Sequence, residues 1–285
     1  MDDSTIFITG ANGQLGRALK GRYPGAKSAD IDELDISDAD SVSGYDWSNM
    51  KVIINAAGYT NVDGAESPEG RVSAWQVNSV AVGNLAGAAI KHDIMLIHIS
   101  TDYVFDGTHS PHNEEEPFSP LSVYGQSKAA GDIVASLVPK HYILRTSWVI
   151  GEGNNFVRTM LDLGQKGVSP TVVADQVGRP TFTSELVKAI DHLLTKQSTF
   201  GTYNVSNGGE PASWADITRT VFEIANFDLK VTDTTTTEYY ADKEGIAPRP
   251  LQSTFDLAKI QSAGFTPTDW REDLTTFVKK ELQTS

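Results

Sequence analysis

The 285-residue chain contains no cysteine. Disulfides, thiolate nucleophiles and cysteine-ligated zinc or iron–sulfur centres are therefore excluded. No apolar run approaches the roughly 20 residues needed to span a bilayer. Basic side chains are scarce: 23 Lys and Arg stand against 37 Asp and Glu, a formal net charge of −14, with a pI of about 4.8. Such a surface repels nucleic-acid phosphates and anionic lipid heads, so neither nucleic acid nor membrane is an expected partner. An anionic substrate would have to be held by locally placed basic groups or helix N-termini. The six histidines (92, 98, 109, 112, 141 and 192) share no ligand spacing on a common helix, so no metal is expected. Met1-Asp-Asp-Ser runs straight into an expected strand and leaves no room for a targeting peptide. With the missing cysteines, this favours a cytoplasmic protein.

At 39% hydrophobic and 21% charged residues the chain reads as an ordinary globular protein. Its length suffices for a large core and one or two domains. Short apolar runs at 5–9, 26–30, 51–55, 94–99 and 141–145 read as strands, with helices over 13–22 and 68–92 between them. Strand and helix in alternation, with crossovers this long, predict a doubly wound parallel α/β sheet. After about residue 150 the alternation loosens, with helices near 155–166, 184–196, 213–226 and 270–282. Residues 1–150 are accordingly expected to form a dinucleotide-binding domain. Residues 151–285 would form mostly a smaller, mixed α/β substrate-binding domain, with a segment at about 170–200 returning to the first.

Between the first strand and helix lies Thr9-Gly10-Ala11-Asn12-Gly13-Gln14-Leu15-Gly16. Gly10 permits a tight turn, Gly13 lets backbone approach a pyrophosphate, and Gly16 lets the helix pack against the strand, with the helix N-terminus facing the phosphates. The spacing is G-x-x-G-x-x-G, a variant of the usual dinucleotide fingerprint. Asp30 follows Gly10 by 20 residues at the end of the second strand, where it serves as an acceptor for an adenosine ribose or as a turn cap. No Lys or Arg lies between 28 and 50, so a 2′-phosphate would be disfavoured and NADH preferred, with NADPH the alternative. About a hundred residues downstream, Tyr124 and Lys128 stand one helical turn apart on one face. Bringing a phenol from its ordinary pKa of about 10 to about 7 takes roughly 4 kcal/mol. A cation about 4 Å away at an effective dielectric of about 20 supplies about that much, so Lys128 is expected to lower the Tyr124 pKa. Thr101, at the carboxyl end of the fourth strand, can hydrogen-bond a substrate carbonyl beside Tyr124. Gly125 and Gly131, each costing about 1 kcal/mol inside a helix, imply close approach of backbone or cofactor.

These residues resemble the extended short-chain dehydrogenase/reductases, a Rossmann-like family, and more narrowly its dTDP-4-dehydrorhamnose reductase branch. The narrower resemblance spans almost the whole chain. It rests on TGANGQLGRAL (9–19), ELDISD (33–38), NAAGYTNVDGAE (55–66), HISTDYVFDG (98–107), YGQSKAAGD (124–132), RTSWVIGEGNNFVRTM (145–160), DQVGRPTF (175–182) and RPLQSTFD (249–256). It implies that Gln14, Leu15, Asp30, Asp35, Ile36, Ala57, Gly58, Tyr59 and Ile99 line the dinucleotide, with Tyr124 and Lys128 near the nicotinamide ribose. Thr101 would bind the 4-keto oxygen of a dTDP-4-keto-6-deoxy sugar while Tyr124 donates the proton. Thr60, Asp102, Tyr103, Trp148 and Asn155 would contact the sugar, and Arg249 the diphosphate. Read from the residues alone, Trp148 serves equally as packing and Arg249 as a surface residue. Some members carry a glutamate at the position of Ala18 that serves a magnesium-linked dimer; its absence leaves a monomer as the default. Association with a 3,5-epimerase is a further implication. Two other readings stay open. One is a sugar-nucleotide epimerase or dehydratase, although dehydratases place Glu where Tyr103 stands; the other is a non-catalytic dinucleotide-binding regulatory subunit.

Overall fold

The computed structural model describes residues 2–284. Its centre is a parallel sheet of six strands: β1 (Ile6–Thr9), β2 (Lys27–Ala29), β3 (Val52–Asn55), β4 (Met95–Thr101), β5 (His141–Thr146) and an edge strand, Gly201–Asn204. The spatial order is β2-β1-β3-β4-β5 followed by Gly201–Asn204, with every pair parallel. The first five strands match the sequence reading to within two residues. The sixth was not anticipated, because four residues are too short to show a period.

All four residues of β1 and of β3 are buried, as a sheet covered on both faces requires. Ile6 and Ile8 face one side with Leu15 and Leu19 of α1 (Gln14–Arg22); Phe7 faces the other with Trp47 and Leu85. The chain order reverses between β1 and β3, and the crevice at their carboxyl ends is where such sheets bind ligands.

On the second face the predicted helix 68–92 is α2 (Pro68–Trp75), a π-helical turn at Gln76–Val80, and α3 (Ala81–Lys91). Ser67 caps its start through the Gly70 amide at 3.0 Å, with Pro68 in the first turn. The helix α4 (Val123–Ala135) is capped by Ser122 through the Gly125 amide at 3.1 Å, and Glu66 accepts from the Val123 amide at 2.9 Å.

A separate apolar core gathers Ile150, Val157 and Leu161 with Ile217, Val221, Trp270 and Leu274. Its helices are α5 (Phe156–Gln165), α7 (Trp214–Ala225) and the terminal Trp270–Thr284. Between them α6 (Thr183–Lys196) turns back: its Leu186, Ile190 and Leu193 join the core under β1 and α1, and Asp191 pairs with Arg22 at 2.6 Å. No helix among the described residues is long and apolar enough to cross a membrane.

Candidate active site

Gly10 has φ +65°, and a Cβ there would lie 2.6 Å from the Ala57 amide nitrogen. At Gly16 a Cβ would lie 2.1 Å from the Gly10 carbonyl oxygen. The turn therefore folds against both its own helix and the end of β3, which glycine alone permits. No side chain caps α1 at Gly13. The Gln14 Oε1 is buried without a hydrogen-bond partner, an acceptor left for something else to satisfy.

Three adjoining chambers run from this turn across the carboxyl edge of the sheet. The first, about 310 Å³, is lined by Gly10, Gly13, Asp30, Asp35, Ile36, Ala57 and Gly58. Asp30 Oδ2 accepts from the Asn12 amide at 2.9 Å and Oδ1 from the Ile31 amide, also at 2.9 Å. It is thus a turn-bracing residue as well as a lining one. Arg17 lies outside this chamber, donating to the carbonyl oxygens of Asn12 and Glu152. Asp35 accepts from the amide and hydroxyl of Ser37 at 2.9 and 2.7 Å.

The second chamber, about 570 Å³, shares Gly13, Ala57 and Gly58 with the first. It brings together Gln14, Leu15, Thr60, Ile99, Thr101, Asp102, Tyr103, Tyr124, Lys128, Trp148 and Asn155. The third, about 410 Å³, continues past Tyr103 and Trp148 to Trp214, Tyr239, Tyr240 and Arg249. Of the cofactor-side candidates, Tyr59 and Gly16 line none of these three. Tyr59 packs against the cluster of Ala65, Ala74, Val123 and Tyr124, and its backbone is held by Asn78 (Tyr59 N to Oδ1 2.9 Å; Nδ2 to Tyr59 O 3.1 Å).

Tyr124 is buried, edge-on to Tyr103 with ring centroids 5.4 Å apart. Its pKa is pushed up to about 12, chiefly by burial; the Thr101 hydroxyl opposes this, while the carboxylates of Asp102 and Asp132 add to it. This corrects the expectation of a phenol drawn toward neutrality by its neighbouring amine. The Lys128 Nζ donates to the Ile99 carbonyl oxygen at 2.5 Å, and desolvation outweighs the pairing that helical spacing suggests. The phenol is held protonated, the state a proton donor needs. Burial lowers the Lys128 pKa to about 8, opposed by Asp132 one turn further along. Asp132 in turn binds Arg145 Nε at 3.1 Å, and burial nonetheless raises its carboxyl. Asp102 is likewise raised by burial, to about 6, against the opposing hydroxyls of Ser253 and Thr101; its Oδ1 accepts from the Thr101 hydroxyl at 3.0 Å.

The glycines in α4 have a contact each. A Cβ at 125 would lie 2.2 Å from the Tyr103 carbonyl oxygen, and one at 131 would lie 2.2 Å from that of Asn78. Backbone, not cofactor, is what approaches. Asn78 is the residue the sequence did not reveal. It lies in the π-helical turn, fixes Tyr59, and donates to Ser127 Oγ at 3.0 Å; π-turns recur at functional sites, but a lone Asn in a helical run carries no signal for one. Trp148 both lines the cavity and packs. It has φ +47° and stacks on Trp214 at 3.9 Å, a strained backbone of the sort found beside ligand sites. Asn155 caps α5 through the Arg158 amide at 3.0 Å. Arg249 is committed to Asp63 at 2.8 Å and to the Ala247 carbonyl at 2.8 Å. Burial would raise the Asp63 carboxyl, but the Arg249 guanidinium and the Ala247 amide outweigh it and hold it low.

Comparison with known proteins agrees with this geometry. Residues 4–283 match the family model of the RmlD substrate binding domain. A dTDP-4-dehydrorhamnose reductase of Aggregatibacter actinomycetemcomitans is 42% identical, the alignment covering 94% of this chain and 96% of the relative. The crystal structure of a Clostridium acetobutylicum dTDP-4-dehydrorhamnose reductase superposes with a TM-score of 0.90 at 34% identity, covering 97% of this chain and 99% of that one. A Bacillus anthracis dTDP-4-dehydrorhamnose reductase in complex with NADP superposes with a TM-score of 0.88 at 34% identity, over 97% and 98% of the two chains. The chain belongs to the RmlD family, the dTDP-4-dehydrorhamnose reductase branch of the extended short-chain dehydrogenase/reductases.

Proposed function

We propose that this protein reduces the 4-keto group of dTDP-4-dehydro-β-L-rhamnose to give dTDP-β-L-rhamnose, with NADH as reductant. The observation that carries the reading is the buried Tyr124 phenol beside Thr101 in the middle chamber, where burial raises its pKa. A nicotinamide dinucleotide fits the residues present: the glycine turn, the unsatisfied Gln14 Oε1 and the chamber holding Asp30 form one continuous cradle. When bound, that group supplies the hydride for C4. The chain's own residues do the rest. Tyr124 gives the carbonyl oxygen a proton as C4 is reduced, and the Thr101 hydroxyl turns from Asp102 to hold that same oxygen. The phenolate left behind is stabilised by the Lys128 ammonium, whose Nζ turns to it from the Ile99 carbonyl oxygen, and the buried surroundings exclude bulk water.

The aromatic third chamber supports a nucleotide on the sugar, since flat rings suit a base. Arg249 supports diphosphate binding only by sharing its guanidinium between the ligand and Asp63. Asp30, with no basic side chain in the first chamber, supports NADH over NADPH, although the Bacillus anthracis relative is in complex with NADP.

The test is loss of NADH absorbance with a panel of 4-keto sugar nucleotides. Turnover confined to the dTDP-4-dehydro-β-L-rhamnose member is expected. Turnover without added reductant, with NAD retained through purification, would instead establish an epimerase or dehydratase. Dinucleotide binding without any ketone-dependent oxidation would indicate a regulatory subunit.

A further inference from the structure

Away from the three chambers, the loop after β4 folds two histidines and a glutamate onto one point. His109, His112 and Glu116 each present a ligand atom, all within 4.8 Å of one another. The absence of helical spacing among the histidines led to no expectation of a metal, yet a loop brings these two together.

The hydrogen bonds around them fix which way the ring nitrogens face. The His112 Nε2 lies 2.9 Å from the Gln252 carbonyl oxygen, an acceptor only, so that nitrogen carries a hydrogen. The Nδ1 on the other side of the ring faces Glu116, whose oxygens lie at 2.8 and 3.0 Å. At His109 the reasoning repeats. The Thr108 hydroxyl donates to Asp106 Oδ1 at 2.7 Å, so its oxygen is left to accept from His109 Nδ1 at 3.4 Å. The His109 Nε2 faces the same Glu116 Oε2 at 3.3 Å. Two imidazole nitrogens and a carboxylate converge, with the outer ring nitrogens beside oxygen atoms. Ring protons would join these groups only in pairs, whereas one divalent cation joins all three at once, and outer nitrogens bonded to oxygen acceptors are the usual support of metal-bound histidine.

We propose that His109, His112 and Glu116 form a binding site for a divalent transition metal of the zinc class, completed by water. The donor set is two imidazoles and one carboxylate, which suits zinc, and exposed His109 leaves a side open for water and for entry. Asp106 and Glu115 nearby add to the cation-attracting field of an already acidic chain.

The site clasps two segments. The His112 amide donates to the Thr254 carbonyl at 2.9 Å, the Asp256 amide to the His112 carbonyl at 2.8 Å, and the Gln252 amide to the Gly107 carbonyl at 3.2 Å. The clasped strand carries Arg249 toward the third chamber and Ser253 against Asp102. The metal's role is therefore to brace the substrate end of the cavity from behind, with no part in hydride transfer.

Tag-free protein, stripped with chelator and dialysed, is titrated with Zn²⁺ by calorimetry and with Co²⁺ by visible absorbance. One equivalent of saturable binding is expected, with a cobalt spectrum of imidazole coordination and a raised thermal midpoint. His109→Ala, an exposed change that leaves the metal-free midpoint unaltered, should weaken binding at least tenfold. Glu116→Gln should do likewise. Absence of saturable binding, or binding of equal strength in His109→Ala, would overturn the site.

Discussion

A buried amine with a carboxylate one helical turn away should set the alkaline limb of the pH–rate profile, and Asp132→Asn should move that limb. Burial brings the Lys128 pKa from 10.5 to about 8, a preference of about 3 kcal/mol for the neutral amine. Below that value the ammonium is present to stabilise the phenolate left on Tyr124. Above it the ammonium is lost, so kcat should fall as pH rises through about 8. Asp132 holds the pKa up against desolvation. Groups one turn apart lie about 6 Å from each other, and at an effective dielectric of about 20 such a pair is worth about 3 kcal/mol. Removing the carboxylate charge should therefore shift the limb downward by about one to two pH units, part of the effect being absorbed by local relaxation. The assay is NADH oxidation at saturating sugar nucleotide from neutral to alkaline pH, in wild type and Asp132→Asn. Asparagine can still accept from Arg145, which is also anchored to the Glu114 carbonyl at 3.0 Å and lies over the Phe105 and Phe118 rings. A matched thermal midpoint and NADH affinity then establish that the fold is intact. A folded variant whose alkaline limb coincides with that of wild type would refute the reasoning, as would a wild-type rate that stays flat between pH 8 and 10.5.

Tyr124→Phe should lower turnover by about 10² or more, the usual consequence of losing a positioned acid, while NADH binding measured by fluorescence stays near wild type; near-normal turnover removes the proton-donor role. Asp30→Ala should weaken NADH more than NADPH, and equal losses by calorimetry would contradict the ribose assignment. Gly131→Ala drives a methyl into the Asn78 carbonyl and should cost about 1–3 kcal/mol in denaturant unfolding. An unchanged unfolding midpoint would show that the π-helical turn yields freely.

The parts of this molecule that were legible in advance are those written in contiguous residues. The strand-turn-helix at Gly10 to Gly16, the apolar runs of β1, β3 and β4, and the placing of Tyr124 and Lys128 one turn apart on a single helix needed only local spacing. What escaped depends on contacts made across the fold. The Gly201–Asn204 strand is an edge of four residues, defined by its pairing with β5. Asn78 acquires its importance from Tyr59 and Ser127, 19 and 49 residues away. The Tyr124 pKa was misjudged because a two-residue electrostatic argument omitted the cost of burial, which here is the larger effect. Arg249 looked like a free anion clamp until Asp63, far away in sequence, appeared beside it.

The Tyr103 carbonyl fills the place where residue 125 would otherwise carry a side chain. The helix bearing the acid and the strand end bearing Thr101 thereby meet main chain against main chain, with no side chain between them. A methyl at 125 would therefore wedge the acid away from Thr101, and the spacing that a ketone oxygen meets between them depends on that missing carbon.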